Sequence, residues 1–280
     1  METTTKVDRL LTILREMDGA LVAFSGGVDS AFVLRAAKEA LGDRVFAVTA
    51  RSPAVPAREL GEAEDLAARI GVRHEIVDTQ ELSSEGYVAN GPDRCYWCKA
   101  ELFDRLEPIR VREGLGFLID GTNADDLGDH RPGMKARRER GIRSPLVEAE
   151  LGKAEIREAS RAWDLPTADK PALACLASRL PYGTPVTVEA LARVGAAEEA
   201  VRALGFRQLR VRHHGDLARL ELDPSEIDRA MQPEIREGLS AAVRSAGYRW
   251  VALDLDGYRT GSLNEILPGP KGLKTFGSGG

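Results

Sequence analysis

Ala20-Leu21-Val22-Ala23-Phe24-Ser25-Gly26-Gly27-Val28-Asp29-Ser30 is the stretch that decides the fold. Its first five residues are an unbroken apolar run and read as a buried strand. Two adjacent glycines then let the backbone turn sharply, and an apolar pattern of helical period runs from about Ala31 to Leu41. At such a strand–turn–helix junction successive N–H groups converge, the helix N-terminus adds partial positive charge, and Ser25 and Ser30 supply hydroxyls. The product is a cradle for phosphate. Asp29 would repel phosphate by itself and makes most sense as a magnesium ligand. The GxxxxGK[ST] loop is absent, and no lysine follows the glycines. A glycine-rich turn with a capping serine is the plain alternative; the full hexapeptide in this context argues for the cradle.

Outward from this stretch, apolar runs at Val45–Thr49, Val72–Val77 and Phe117–Ile119 read as further strands. Helical patterns lie between them, over about 57–70 and 99–112, and another follows at 153–163. Strands alternating with helices imply an α/β domain with a parallel sheet covered on both faces. In such sheets ligands bind outside the carboxyl ends of the strands. Thr49 and Ser52 fall at that edge, as does Gly121-Thr122-Asn123-Ala124-Asp125-Asp126. Asp125 and Asp126 suit magnesium there, although an Asp pair is also ordinary turn chemistry.

We expect this domain over 1–165. A proline-rich linker or active-site loop carrying Cys175 is expected over 166–186, then a small α+β domain over 187–267, and a flexible Gly/Pro-rich tail over 268–280. The small domain is read as a helix at 187–204, strands at 208–212, 217–222 and 250–255, and helical segments after Asp223.

The chain has 280 residues, enough for one large domain or two modest ones, and a net charge of −5. That charge gives no global attraction to nucleic acid or anionic membrane, and the basic run from Lys135 to Arg143 reads as a solvated face. No stretch approaches the ~20 apolar residues of a membrane span. METTTKVDRL lacks the pattern of a secretory signal. Three cysteines are too few for a disulfide framework, so a reducing, cytoplasmic setting is expected.

Cys95 and Cys98, in Arg94-Cys95-Tyr96-Trp97-Cys98-Lys99, stand three apart at a helix start. That spacing suits zinc, an iron–sulfur cluster or a redox dithiol. Cys175 lies far off in Asp169-Lys170-Pro171-Ala172-Leu173-Ala174-Cys175-Leu176-Ala177-Ser178-Arg179, and a free cysteine is often just a small buried hydrophobe. Lys170 and Arg179 would favour its thiolate if they point inward. Arg210 and Arg212 alternate with apolar residues, which suits either a phosphate or a solvated strand face. His213 and His214, beside a glycine turn, are not taken as catalysts.

Ser25 to Ser30 resembles the signature of the PP-loop superfamily. With the segment around Cys95 and Cys98, Ser144-Pro145-Leu146, the Asp169–Gly183 stretch and Arg210–Leu222, the chain resembles the LarE family over about 21–255. These are ATP-dependent sulfur transferases that make the nickel-pincer cofactor of lactate racemase. The resemblance implies a PP-loop, Rossmann-like fold and nucleotide contacts from Ser25, Gly26, Gly27, Val28, Asp29, Ser30, Thr49 and Ser52. It also implies a small-molecule substrate, pyridinium-3,5-biscarboxylic acid mononucleotide, no nucleic-acid partner, and a homo-oligomer.

In the reaction so implied, ATP adenylates a ring carboxylate and sulfur displaces AMP. Cys175 occupies the sulfur-donating position: either it gives up its own sulfur and is left as dehydroalanine or, the reading favoured by three cysteines that all lie in family motifs, Cys95, Cys98 and Cys175 hold a [4Fe-4S] cluster carrying a labile sulfide. Trp97 is positioned to stack on the pyridinium ring. Ser178, Arg179, Arg210 and Arg212 are the expected substrate contacts, and Glu198, Glu221 and Asp228 resemble acidic positions of a second, metal-binding site. The rival readings are a tRNA-thiolating or amidating PP-loop enzyme, and a regulator that senses ATP without turnover. The first would bring a basic RNA-binding domain, and an amidating enzyme would not need Cys175.

Overall fold

The computed structural model describes residues 2–128, 132–171, 174–259 and 262–263. His130, the Ala172-Leu173 pair and the expected tail therefore lie outside the described residues. The chain forms two compact units, Met1–Tyr87 with Asp93–Leu173, and Val88–Pro92 with Ala174–Gly280. The change of unit falls inside the stretch expected as a linker. The assignment of Val88–Pro92 to the second unit has no signal in the sequence.

In the first unit, β1 (Ala20–Ala23) pairs in parallel with β2 (Val45–Arg51) on one side and β4 (Phe117–Ile119) on the other. β3 (Arg73–Asp78) completes the sheet beyond β2, giving the order β3-β2-β1-β4. Side chains alternate faces along a strand, so one short sequence feeds two cores. Ala20 and Val22 of β1, with Val45 and Ala47 of β2, join the core that holds α1 (Thr3–Arg15), α2 (Val28–Leu41) and part of α3 (Ala57–Ile70). Leu21, Phe46 and Val48 face the other way, onto Phe103, Leu106 and Ile109 of α5 (Arg94–Arg112), which follows the short α4 (Glu85–Val88). Each such buried side chain contributes about 1.5–3 kcal/mol, which is why the strands read as continuous apolar runs.

The chain leaves β1 toward β2 and β3, then returns to place β4 on β1's other side. The carboxyl ends of β1 and β4 thus flank the point where strand order reverses, the standard ligand crevice of open α/β sheets. Beyond β4 come α6 (Gly133–Glu139), α7 (Pro145–Glu148) and α8 (Lys153–Ala162). An isolated bridge from Ile119 to Arg143 brings Ser144 to the same edge.

In the second unit, α9 (Val188–Ala203) is capped by Thr187, whose hydroxyl accepts from Ala190 N at 3.1 Å. β5 (Leu209–His214) and β6 (Leu217–Leu222) form an antiparallel hairpin. Its two-residue turn starts at Gly215, in the left-handed region at φ 64°. α10 (Ile227–Ala230) and α11 (Pro233–Ser245) then carry the chain to β7 (Trp250–Leu253), parallel to β6. Val201, Phe206, Val211, Leu220 and Val243 anchor this core.

Candidate active site

The cradle forms where the sequence places it, at the end of β1. Gly26 takes φ 68°, a conformation that favours glycine, and α2 opens at Val28. Ser30 Oγ donates to Gly27 O at 3.1 Å and accepts from Ser25 N at 3.2 Å, while the two serine hydroxyls lie 3.0 Å apart. These bonds fix the loop. The first-turn N–H groups of α2 have no intrahelical acceptors and point out of the helix end toward an anion. Against this turn lies Gly121, from the loop after β4; a Cβ there would sit 2.7 Å from Ser30 N.

Two lysines that sequence reading did not place here converge on the same loop. Lys170 Nζ bonds Gly26 O at 3.2 Å, Glu59 at 2.9 Å and Glu62 at 2.7 Å. Its ammonium is therefore committed to the cradle and to two glutamates of α3. Lys153 Nζ lies 2.5 Å from Asp29 Oδ2. Asp29 Oδ1 is buried with no hydrogen-bond partner. A bare, buried carboxylate oxygen beside a phosphate cradle is the donor a magnesium ion requires, so Asp29 fits that expectation.

Asp125 and Asp126 serve the backbone. Asp125 Oδ2 accepts from Lys153 N at 2.7 Å, at the start of α8, and Asp126 Oδ2 accepts from Asn123 N at 3.1 Å. Asp120, at the carboxyl end of β4, accepts from Thr122 Oγ1 at 2.8 Å and from Ser144 Oγ, which Arg137 also contacts. Thr49 lies inside β2, which runs on to Arg51, and is buried. Its single proton goes to Phe24 O at 2.7 Å, so His74 Nε2, 2.7 Å away, must donate to it. Burial holds the His74 pKa below its ordinary value, which keeps this neutral tautomer. Thr49 thus pins the residue before the cradle. Ser52 Oγ accepts from Ala54 N at 3.1 Å and shapes the turn after β2.

The second unit gathers the other expected residues around buried arginines. Cys175 is half-buried and precedes a helical turn over Leu176–Arg179. Arg179 is 2% exposed and clamps Glu198 at 2.8 and 3.0 Å, while its Nη1 donates to Ala174 O, Cys175 O and Ser178 Oγ. The guanidinium thus holds the cysteine's backbone carbonyl. Arg212 clamps Glu221 at 2.9 and 2.8 Å and donates to Ser178 O at 2.7 Å. Both arginines of β5 are buried, which replaces the solvated-face alternative.

Arg210 differs. Its guanidinium bonds Tyr258 Oη at 3.2 Å and lies 5.2 Å from that ring's centre, and among the described residues no carboxylate pairs with it. Burial, and then repulsion from Arg179, pull its pKa down. A buried cation without a counter-ion is costly, and an incoming anion relieves the cost.

Glu198 and Glu221 are held by arginine. Burial pushes the Glu198 pKa up, but Arg179 and Arg202 outweigh it and the net shift is downward. Glu221 bonds Arg212 and Arg219, and Asp228 lies in α10. Among the described residues no three His, Cys, Asp or Glu side chains come together to hold a metal. Two carboxylates of the expected second metal site, Glu198 and Glu221, are thus spent on guanidinium groups.

Cys95, exposed, and Cys98, half-buried, sit in the first turns of α5, and among the described residues of the first unit no third ligand joins them. That arrangement does not fit a cluster within the unit. Trp97 lies over Gly86, leaving no room there for a Cβ, and its Nε1 donates to Asp93 at 3.1 Å. His213 Nδ1 lies 3.0 Å from the buried Tyr248 hydroxyl, a core contact.

A four-stranded parallel sheet with this loop at its switch point defines a PP-loop enzyme, a protein that uses ATP. A family model described as "Queuosine biosynthesis protein QueC" matches residues 19–90, the span holding the cradle. An uncharacterised protein of Synechocystis is 46% identical over 94% of this chain and 98% of its own. The pyridinium-3,5-bisthiocarboxylic acid mononucleotide synthase of Lactiplantibacillus plantarum is 38% identical, over 94% of this chain and 95% of its own. The chain therefore belongs to the LarE family of ATP-dependent sulfurtransferases.

Proposed function

We propose that this protein uses MgATP to adenylate a carboxylate of pyridinium-3,5-biscarboxylic acid mononucleotide, and then converts it to a thiocarboxylate with the sulfur of Cys175. The name of the Lactiplantibacillus relative supplies the product class. The observation that carries the reading in this chain is Arg210, a buried cation that no carboxylate among the described residues pairs with. It stands in the unit where Arg179 and Ser178 shape the backbone around Cys175. A mononucleotide phosphate is the anion that position lacks.

The steps balance. A carboxylate oxygen attacks the α-phosphorus and pyrophosphate leaves with the bond's electrons. The N–H groups of the Ser25–Ser30 loop receive the developing phosphate charge. Asp29 would hold magnesium, which would supply neutralisation of the phosphate charge. The Cys175 thiolate then attacks the acyl carbon and AMP departs. Loss of the Cα proton of Cys175, with cleavage of its Cβ–S bond, releases the thiocarboxylate and leaves dehydroalanine. The basic atmosphere expected for the thiolate comes from neither Lys170, which is bonded to Glu59 and Glu62, nor the head of Arg179, which is bonded to Glu198.

Cluster-held sulfide is the second reading, favoured by Cys95 and Cys98 three apart at the start of α5. That reading needs Cys175 as a third thiolate beside Cys95 and Cys98; no step is derived through it, because no three such ligands come together among the described residues. Free cysteines throughout support a reducing, cytoplasmic setting, and the family resemblance supports a homo-oligomer.

Intact mass and peptide mapping after incubation with ATP, magnesium and the dicarboxylate mononucleotide test the reading. We expect loss of hydrogen sulfide at Cys175 together with AMP and pyrophosphate. Thiocarboxylate formed with Cys175 unchanged would shift the assignment to the cluster. Absence of substrate-dependent pyrophosphate would return the chain to the other PP-loop activities.

A further inference from the structure

Asp29 is one half of an ion pair that its role as a magnesium ligand leaves unexplained. The other half, Lys153, comes from 124 positions later in the chain, and its Nζ lies 2.5 Å from Asp29 Oδ2. The pair is largely shielded, with side-chain exposures of 33% for the lysine and 22% for the aspartate. The second carboxylate oxygen, Oδ1, is buried and has no hydrogen-bond partner among the described residues. An ammonium so close opposes a divalent cation on the same carboxylate. A phosphate arriving in the cradle has the reverse effect, repelling Asp29 and attracting Lys153.

The base of Lys153 is held firmly. Its N–H donates to Asp125 Oδ2 at 2.7 Å, Asp125 N donates to Asn123 Oδ1 at 3.0 Å, and Gly152 N donates to Glu155 Oε2 at 2.9 Å. The Asp125 carboxylate packs so closely on Gly152 that a Cβ there would lie 3.0 Å from Oδ1. With the backbone fixed, the freedom left to Lys153 is in its four-carbon stem, which swings a compact point charge.

We infer that Lys153 is a nucleotide-positioning residue that exchanges partners. It neutralises Asp29 while the cradle is empty, and it passes to the phosphates of ATP when magnesium takes Asp29. This rests on the ATP reading above and deepens it, because it explains how an aspartate sits inside a phosphate cradle. Asp29 has a resident cation in one state and a metal in the other.

Calorimetric titration with α,β-methylene-ATP, uncleavable at the relevant bond, tests this on the full chain, with and without magnesium. Wild-type protein should bind the magnesium complex and bind the metal-free analogue weakly. Lys153→Met should weaken the magnesium complex by about tenfold or more, the loss of one charge-assisted contact. In the same variant magnesium alone should raise the melting temperature more than in wild type, since Asp29 has lost its resident cation. A brace with no ligand role would not produce opposite effects on the two ligands. Lys153→Arg keeps the charge and should stay within about threefold.

Asp29→Asn frees the ammonium and should tighten binding of the metal-free analogue. That measurement decides the matter if Lys153→Met does not fold, and no gain there overturns the exchange. Wild-type affinity in a folded Lys153→Met overturns it too, while the ATP reading stands. A wild-type protein that binds no analogue at all defeats the ATP reading first.

Discussion

Gly121 has no side chain because Ser30 leaves no room for one. With Ser30 N 2.7 Å from where a Cβ would stand, Gly121→Ala must push the loop after β4 away from the start of α2. Overpacking of this kind costs about 1–3 kcal/mol. We expect a lower melting temperature together with weaker nucleotide binding; unchanged nucleotide affinity would show that the two loops move independently. At this scale the cradle was legible because six consecutive residues build it. Lys153 and Lys170 were not, since each reaches the cradle from more than a hundred positions away. For Arg210 and Arg212 the solvated-face alternative stays open in the sequence because their buried surroundings are supplied by other elements, Glu198 from α9 and Glu221 from β6.

The start of α8 shows how an element is finished by its neighbours. Lys153 N finds its acceptor in Asp125, which lies before α6, so the cap is provided by a different part of the chain. Asp125→Ala should cost about 1 kcal/mol, as lost caps do, and loosen the base of Lys153. Asp125→Asn retains an acceptor oxygen and should behave like wild type in both stability and nucleotide binding. A severe loss on Asp125→Asn would instead favour the aspartate as a metal ligand.

Strands were the elements read best, since each apolar run had to fill both faces of the sheet. Their ends were read less well. β2 continues to Arg51 because its last residues still pair with β3, Arg51 opposite Asp78, although they are no longer apolar. The helix Thr3–Arg15 was passed over as merely lacking a signal pattern, yet Val7, Leu10 and Leu14 carry its buried face.

Across the molecule, buried charge and burial of histidine set the conditions under which it stands. Removing the Glu198 carboxylate leaves Arg179 and Arg202 without their shared partner, a loss on the order of 3–5 kcal/mol for a buried pair. Glu198→Ala should therefore unfold the second unit at lower temperature while the first still binds nucleotide. Nucleotide binding lost in parallel would mean the two units unfold as one.

His74 and His213 are both held below the ordinary value of 6.5, chiefly by burial. The folded chain therefore resists protonation that the unfolded chain accepts. Stability is fully present above about pH 6.5 and falls as pH drops through that value toward the lower folded ones. A melting temperature that stays level from about pH 7.5 to about pH 5.5 would contradict this. The two-part organisation was legible from the change of pattern after the proline-rich stretch, but the small segment lent to the second unit was not, since only distant partners mark it.

That segment has a consequence in time. Asn90 is fully buried in the left-handed conformation, and its side-chain amide donates to Pro181 O and Thr184 O, both at 2.8 Å. Those acceptors lie 91 and 94 positions downstream. Asn90 therefore leaves the ribosome long before these two acceptors exist. Until Thr184 is translated the Val88–Pro92 segment cannot make both of these bonds, so the second unit closes only after the whole chain of the first has been made.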